Sequence, residues 1–126
     1  MPGPARAGVL LYAKQLDRLS VFYQRLLGMT VLDANDERQI IANADMQLVL
    51  LAMPSHAAAA IDIAVPPVPR EQTVKAFFSV PDLAVAIATA SALGGGAFDV
   101  EYAGPGFRAR NVFDPEGNIM QLRAFG

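Results

Sequence analysis

The sequence predicts an α+β fold made of two copies of one strand–helix–three-strand unit. Three observations carry this. The apolar pattern changes to helical spacing at Leu16 and again at Leu83. Glycine closes each helical stretch, at Gly28 and at Gly94–Gly96. Three short apolar runs, separated by turn-forming residues, then follow each helix.

The first unit opens with Val9–Ala13, an apolar run bounded by Gly8 and Lys14-Gln15, and reads as a strand. Leu16, Leu19, Tyr23 and Leu26 then recur at helical spacing, with Arg18 and Arg25 elsewhere on the cylinder. Asp17 places negative charge in the first turn, where the helix dipole favours it. Gly28 fits the stop after the helix. Strands are expected at Met29–Leu32, Gln39–Ala42 and Gln47–Ala52, with turns at Asp33–Asp36 and Asn43–Asp45.

The second unit repeats the order. Lys75–Val80 reads as a strand, Asp82 as a helix N-cap, and Leu83, Ile87, Ala90 and Leu93 as the apolar stripe. Strands follow near Ala97–Tyr102, Phe107–Phe113 and Ile119–Phe125. Asp114-Pro-Glu-Gly117 is turn chemistry, because proline presets φ and glycine permits a positive φ. Gly8 aligns with Lys75, Ala13 with Val80, Leu16 with Leu83 and Gly28 with Gly95. The expected organisation is one domain over 1–126, with a module at about 7–53, a linker at about 54–73 and a second module at about 74–126. Four prolines, Pro54, Pro66, Pro67 and Pro69, forbid a regular helix through the linker, though Ala57–Ala60 suits a short helical turn. Each module is too small to bury both its helix and a sheet face well. Pairing the modules puts the helices outside and leaves a concave inner sheet face, a cleft.

Composition narrows the function classes. The chain has 126 residues, 53% of them hydrophobic and 17% charged, which excludes a disordered chain. A net charge of −2 offers no basic footprint for nucleic acid. There is no cysteine and one histidine, His56, so thiolate sites are excluded and histidine-rich metal sites are disfavoured. No apolar run reaches the roughly 20 residues of a spanning helix, and the N-terminus lacks the apolar core of a signal peptide. No membrane partner and a cytoplasmic location are expected.

The run Leu10–Met29, with Phe22-Tyr23 and Leu27-Gly28 as its most specific residues, resembles the opening unit of the vicinal oxygen chelate superfamily. That superfamily holds glyoxalase I, bleomycin-resistance proteins, fosfomycin-resistance enzymes and extradiol dioxygenases. Phe113-Asp-Pro-Glu-Gly-Asn-Ile-Met-Gln-Leu122 resembles its closing hairpin, which usually ends in Glu-Leu. The resemblance implies paired βαβββ modules in a curved, mixed sheet around a deep pocket (the glyoxalase/bleomycin resistance-like fold), and a homodimer.

The resemblance also implies where a metal would be held. The first-strand His position falls on Gly8, its counterpart in the second module on Lys75, and the closing-strand Glu position on Gln121. The fourth falls near Leu48 or Leu50. Glycine and leucine have no donor, lysine carries the wrong charge, and an amide oxygen replaces a carboxylate poorly. His56 reads as an exposed linker residue, and Glu37, Glu71, Glu101 and Glu116 as solvated charges in turns or at strand edges. No metal and no cofactor are therefore expected.

Side chains alternate along strands, so the face implied to line the pocket can be followed. It carries Tyr12 on the first strand, with Gly8 and Leu10; Lys75, Phe77 and Ser79 on the fifth; Asn111 and Phe113 on the seventh, with Phe107 and Ala109; and Gln121 and Arg123 on the last. Arg108 and Arg110 point the other way. Aromatic rings mixed with an amide pair, a phenol and up to two cations suit an aromatic or amphipathic organic ligand, including one that carries an anionic group. The expected function is metal-free binding or sequestration of an aromatic or amphipathic compound. The alternative is a lyase, isomerase or dioxygenase of the same superfamily acting on a small organic substrate. For a metal-free enzyme, Tyr12 or Lys75 would serve as acid or base, but no base–nucleophile pair is visible and no catalytic residue is assigned.

Overall fold

The computed structural model describes residues 7–125. The chain divides between Asp62 and Ile63 into two compact units of the same topology. The first contains β1 (Gly8–Ala13), α1 (Leu16–Leu27), β2 (Thr30–Ala34), β3 (Arg38–Ala42), β4 (Gln47–Ala52) and a short α2 (Ser55–Ala59). The second contains β5 (Phe77–Ser79), α3 (Leu83–Ala92), β6 (Gly96–Gly104), β7 (Phe107–Phe113) and β8 (Ile119–Phe125). Each forms a four-stranded mixed sheet, ordered β1-β4-β3-β2 and β5-β8-β7-β6. The first strand of each unit runs parallel to the last, and the other neighbours are antiparallel.

In the first unit α1 lies on β3 and β4. Leu19, Phe22, Tyr23 and Leu26 are buried there, as the helical spacing requires, with Ala13, Ile41, Leu48 and Leu50 from the sheet. The Phe22 and Tyr23 rings meet edge to face, 5.1 Å apart. Gln39 donates to Asp17 at 2.6 Å and ties the sheet to the first helical turn. Gly28 ends the helix in the left-handed region (φ 62°), and the Met29 N–H donates back to the Gln24 carbonyl at 3.0 Å.

The second unit repeats this with one slip. Asp82 caps α3 by accepting from the Val85 N–H at 3.0 Å, as expected. The helix is shorter than α1, so the left-handed residue after it is Gly94 (φ 92°), and Gly95 donates back to the Ala90 carbonyl at 2.9 Å. Gly94 rather than Gly95 is thus the counterpart of Gly28. Leu83, Ala86 and Ala90 form the buried stripe, while Ile87 and Leu93 are only half-buried. This face packs on β6, β7 and β8, where Val112, Met120 and Leu122 are buried.

Three further expectations are corrected. The fifth strand covers Phe77–Ser79 rather than Lys75–Val80. Its pairing is extended by Gln121 N–H to the Ala76 carbonyl (2.9 Å) and Val80 N–H to the Arg123 carbonyl (2.8 Å), which leaves Lys75 exposed outside it. Second, Leu48 and Leu50 lie under α1, because their pairing partners Val9, Leu11, Ile41 and Gln39 all share the helix-covered face. The fourth-strand residues on the face of Gly8, Leu10 and Tyr12 are Gln47, Val49 and Leu51. Third, Glu116 is not solvated but buried within the Asp114–Asn118 turn. Asp114 Oδ1 accepts from the N–H groups of Glu116 (2.9 Å) and Asn118 (3.0 Å), and Oδ2 from the Asn118 amide (2.8 Å). Arg70 crosses the turn and donates to the Glu116 carbonyl (3.0 Å) and Asn118 Oδ1 (3.1 Å). The end of the proline-rich stretch therefore belongs structurally to the second unit. Gly117, at φ 86°, has the Val68 carbonyl where a Cβ would stand.

Candidate ligand-binding site

One face of the second sheet is covered by α3. Pairing register defines the other. Phe77 is opposite Gln121 and Ser79 opposite Arg123; Asn111 is opposite Gln121, Ala109 opposite Arg123, Phe107 opposite Phe125 and Phe113 opposite Ile119. Phe77, Ser79, Asn111, Phe113, Gln121 and Arg123 therefore share the helix-free face. Arg108 and Arg110 alternate to the other side, as expected. Arg108 faces Glu101 at 3.9 Å, and Arg110 Nε donates to the Phe98 carbonyl at 2.7 Å.

Arg123 is the centre of this face. Its guanidinium carbon lies 4.0 Å from the centroid of Phe77 and 4.4 Å from that of Phe107. Each such contact contributes roughly 0.5–1 kcal/mol at a partly exposed site. Arg123 Nε donates to Gln121 Oε1 at 2.8 Å, and Gln121 Nε2 approaches Asn111 Oδ1 at 3.4 Å. Arg123 has no ion-pair partner among the described residues, so it does not serve a surface acid. Phe77 is 53% exposed and Ser79 is also open to solvent.

The rings have glycines opposite them. Gly104 pairs with Phe107 and Gly96 with Phe113, and each ring lies where a Cβ on its glycine would be. Phe113 also meets Phe98 edge to face at 5.7 Å, and Phe107 meets Phe125 at 6.1 Å. Gly104→Val should therefore push Phe107 from its seat beside Arg123. The expected cost is about 1–3 kcal/mol, read as a lowered thermal midpoint. An unchanged midpoint would mean the ring does not depend on that gap.

Not every expected residue joins this cluster. Tyr12 belongs to the first unit, exposed on the helix-free face of its sheet beside Leu10. Lys75 precedes β5 and is exposed. Phe113 lies at the β6 side, with Phe98 and Gly96. Phe125 and Tyr102 were not foreseen, yet both lie on the cluster's face. The two-residue step from Gln121 through Arg123 to Phe125 could have found the first. Tyr102 needed the β6 register, which shifts irregularly between Ala97 and Glu101.

The side chains at the metal positions do not fit a metal. A Cβ on Gly8 would stand 2.6 Å from the Gln47 carbonyl oxygen, too close for any side chain there without a shift. The Gln121 oxygen accepts from Arg123 Nε, so a guanidinium charge already stands beside it and disfavours a second cation. Of the fourth-strand residues on the Gly8 face, Val49 and Leu51 have no donor atoms and Gln47 offers only an amide oxygen, a poor replacement for a carboxylate. Among the described residues no three His, Cys, Asp or Glu side chains cluster. His56 is exposed on α2.

The sequence profile of the Glyoxalase-like domain matches residues 8–123. The chain belongs to that family, within the glyoxalase/bleomycin resistance/dioxygenase superfamily, and has its fold. Among solved structures it is similar to a glyoxalase/bleomycin resistance protein/dioxygenase family enzyme from Burkholderia phytofirmans PsJN, at TM-score 0.71 and 15% identity over 94% of this chain and 97% of that one. It is similar to a lactoylglutathione lyase from Agrobacterium tumefaciens, at TM-score 0.60 and 21% identity over 98% and 96%. It is also similar to a bleomycin resistance determinant encoded on the transposon Tn5, at TM-score 0.60 and 20% identity over 95% and 97%. No curated protein sequence matches it. No helix among the described residues is long and apolar enough to cross a membrane.

Proposed function

We propose that the chain is a metal-free binding protein that sequesters a small aromatic or amphipathic organic compound on the helix-free face of its second sheet. The observation that carries this is the Arg123 guanidinium held between Phe77 and Phe107, with amide groups beside it. Exposed rings supply apolar contact, and a few oriented polar groups supply selectivity, as in most small-molecule sites. The chemistry at Gly8, Gln47, Val49, Leu51 and Gln121, two amides and no carboxylate or imidazole, supports the metal-free reading. In this reading the chain acts in the cytoplasm as a homodimer, without nucleic acid or membrane partners. The net charge of −2 is consistent with the lack of a nucleic-acid partner.

A thermal-shift screen of aromatic and antibiotic-like compounds in the presence of a chelator tests the proposal. A compound at about 100 times its Kd adds roughly 2.7 kcal/mol to stability. At least one compound should raise the midpoint by several degrees, and Phe77→Ala should shrink that rise. If stabilisation appears only after a divalent metal is added, or if the bound compound is turned over, sequestration without metal is wrong.

A further inference from the structure

The hydrogen bonds around Arg123 have a forced direction. Arginine only donates. The Gln121 atom facing Arg123 Nε at 2.8 Å must therefore be its oxygen. That turns the Gln121 NH2 group toward Asn111, at 3.4 Å, so Asn111 meets it with its own oxygen. The Asn111 NH2 group is then turned away from the chain of contacts. Each of the two amide oxygens already accepts one bond inside the row Asn111–Gln121–Arg123. What remains to meet a ligand is the two terminal nitrogens of Arg123 and the Asn111 amide N–H groups. Neither has an acceptor among the described residues. Ser79, the strand neighbour of Arg123, adds a hydroxyl that can also donate.

We infer that this face selects a planar anion carried on an aromatic ring, with an aryl carboxylate as its simplest form. The guanidinium repels cations and gains less from a neutral acceptor, whereas a carboxylate can take two guanidinium N–H groups at once. Phe77 and Phe107 both lie against the guanidinium, which restrains where the anion sits and puts rings beside it for the rest of the ligand. Gln121 is the positioning residue. It stands where the superfamily usually places a metal-binding glutamate, and here it orients an arginine instead. The inference rests on the binding role proposed above.

Calorimetric titration with three matched probes separates the two: 2-naphthoate, 2-naphthamide and 2-naphthylmethylammonium, at fixed ionic strength with a chelator present. The native chain should bind the carboxylate about tenfold or more tightly than the amide, and the ammonium most weakly, since one lost charge-assisted pair is worth about that factor. Arg123→Gln should bring carboxylate and amide to similar affinity. Gln121→Glu, a substitution of nearly equal volume, should do much the same by pairing with Arg123 internally. Equal binding of carboxylate and amide by the native chain overturns the anion selectivity and leaves the binding role standing. Retained carboxylate preference in Gln121→Glu overturns the positioning role. Binding of none of the three overturns both.

Discussion

Asp114→Ala is expected to destabilise the chain by roughly 3–5 kcal/mol, because it strands three donors in a buried turn. The Asp114 carboxylate is fully buried and accepts from two backbone N–H groups and the Asn118 side-chain amide. Water cannot replace it readily, since Pro115, Glu116, Gly117 and Asn118 are buried as well. Asn118 would lose its orientation and with it the Arg70 contact at 3.1 Å. With m near 1–3 kcal/mol per molar urea, the midpoint should fall by one to several molar while the slope stays unchanged. Asp114→Asn should cost less, because its oxygen can keep the two backbone donors while its NH2 group opposes that of Asn118. Equal stability of native chain and Asp114→Ala would show that the turn is not held by this carboxylate.

Leu50→Asp should prevent stable folding or cost well over about 3 kcal/mol, whereas Leu10→Asp should change stability by less than about 1 kcal/mol. Leu50 is fully buried under α1, and a lone charge there has no partner. Leu10 is 63% exposed on the opposite face of the same sheet. Should Leu50→Asp not fold, Leu50→Ala keeps the comparison measurable, with an expected loss of about 2–5 kcal/mol. Urea titrations of the variants decide it. A larger loss at Leu10 than at Leu50 would mean that the strand faces are reversed, and with them the residues open to a ligand.

The faces of β4 are not legible in the sequence. Gln47-Leu-Val-Leu-Leu-Ala52 is nearly uniformly apolar, so its alternation cannot show which leucines face the helix. Only pairing with Gly8–Ala13 and Arg38–Ala42 settles it. By contrast Leu16, Asp82, Leu83 and Gly28 carry strong local signals, a change of period, a cap and a stop, and the elements begin and end there. The slip from Gly95 to Gly94 arose because nothing in Ala90–Gly96 says which of three adjacent glycines takes the positive φ. Glu116 reads as solvated in the sequence because burial of a carboxylate in a turn depends on a distant stretch, Arg70 with Val68, that composition marks only as linker.

The site was legible in part for the same reason. Gln121 and Arg123 are two residues apart on one strand, so their shared face follows from the pleat alone. Their contact with Phe77, Phe107 and Asn111 depends on the registers of β5, β7 and β8, which no single strand contains. The internal repeat aligns Lys75 with Gly8 and so puts it on the pocket face, but pairing begins with the Ala76 carbonyl.

Metal titration of the chelator-stripped chain is the most direct test. Calorimetry with Zn, Ni, Mn and Fe(II), together with elemental analysis of protein purified without chelator, should show no stoichiometric ion and no saturable uptake, and Gln121→Ala should behave as the native chain does. About one equivalent of a divalent ion per chain, lost on Gln121→Ala, would contradict the metal-free site.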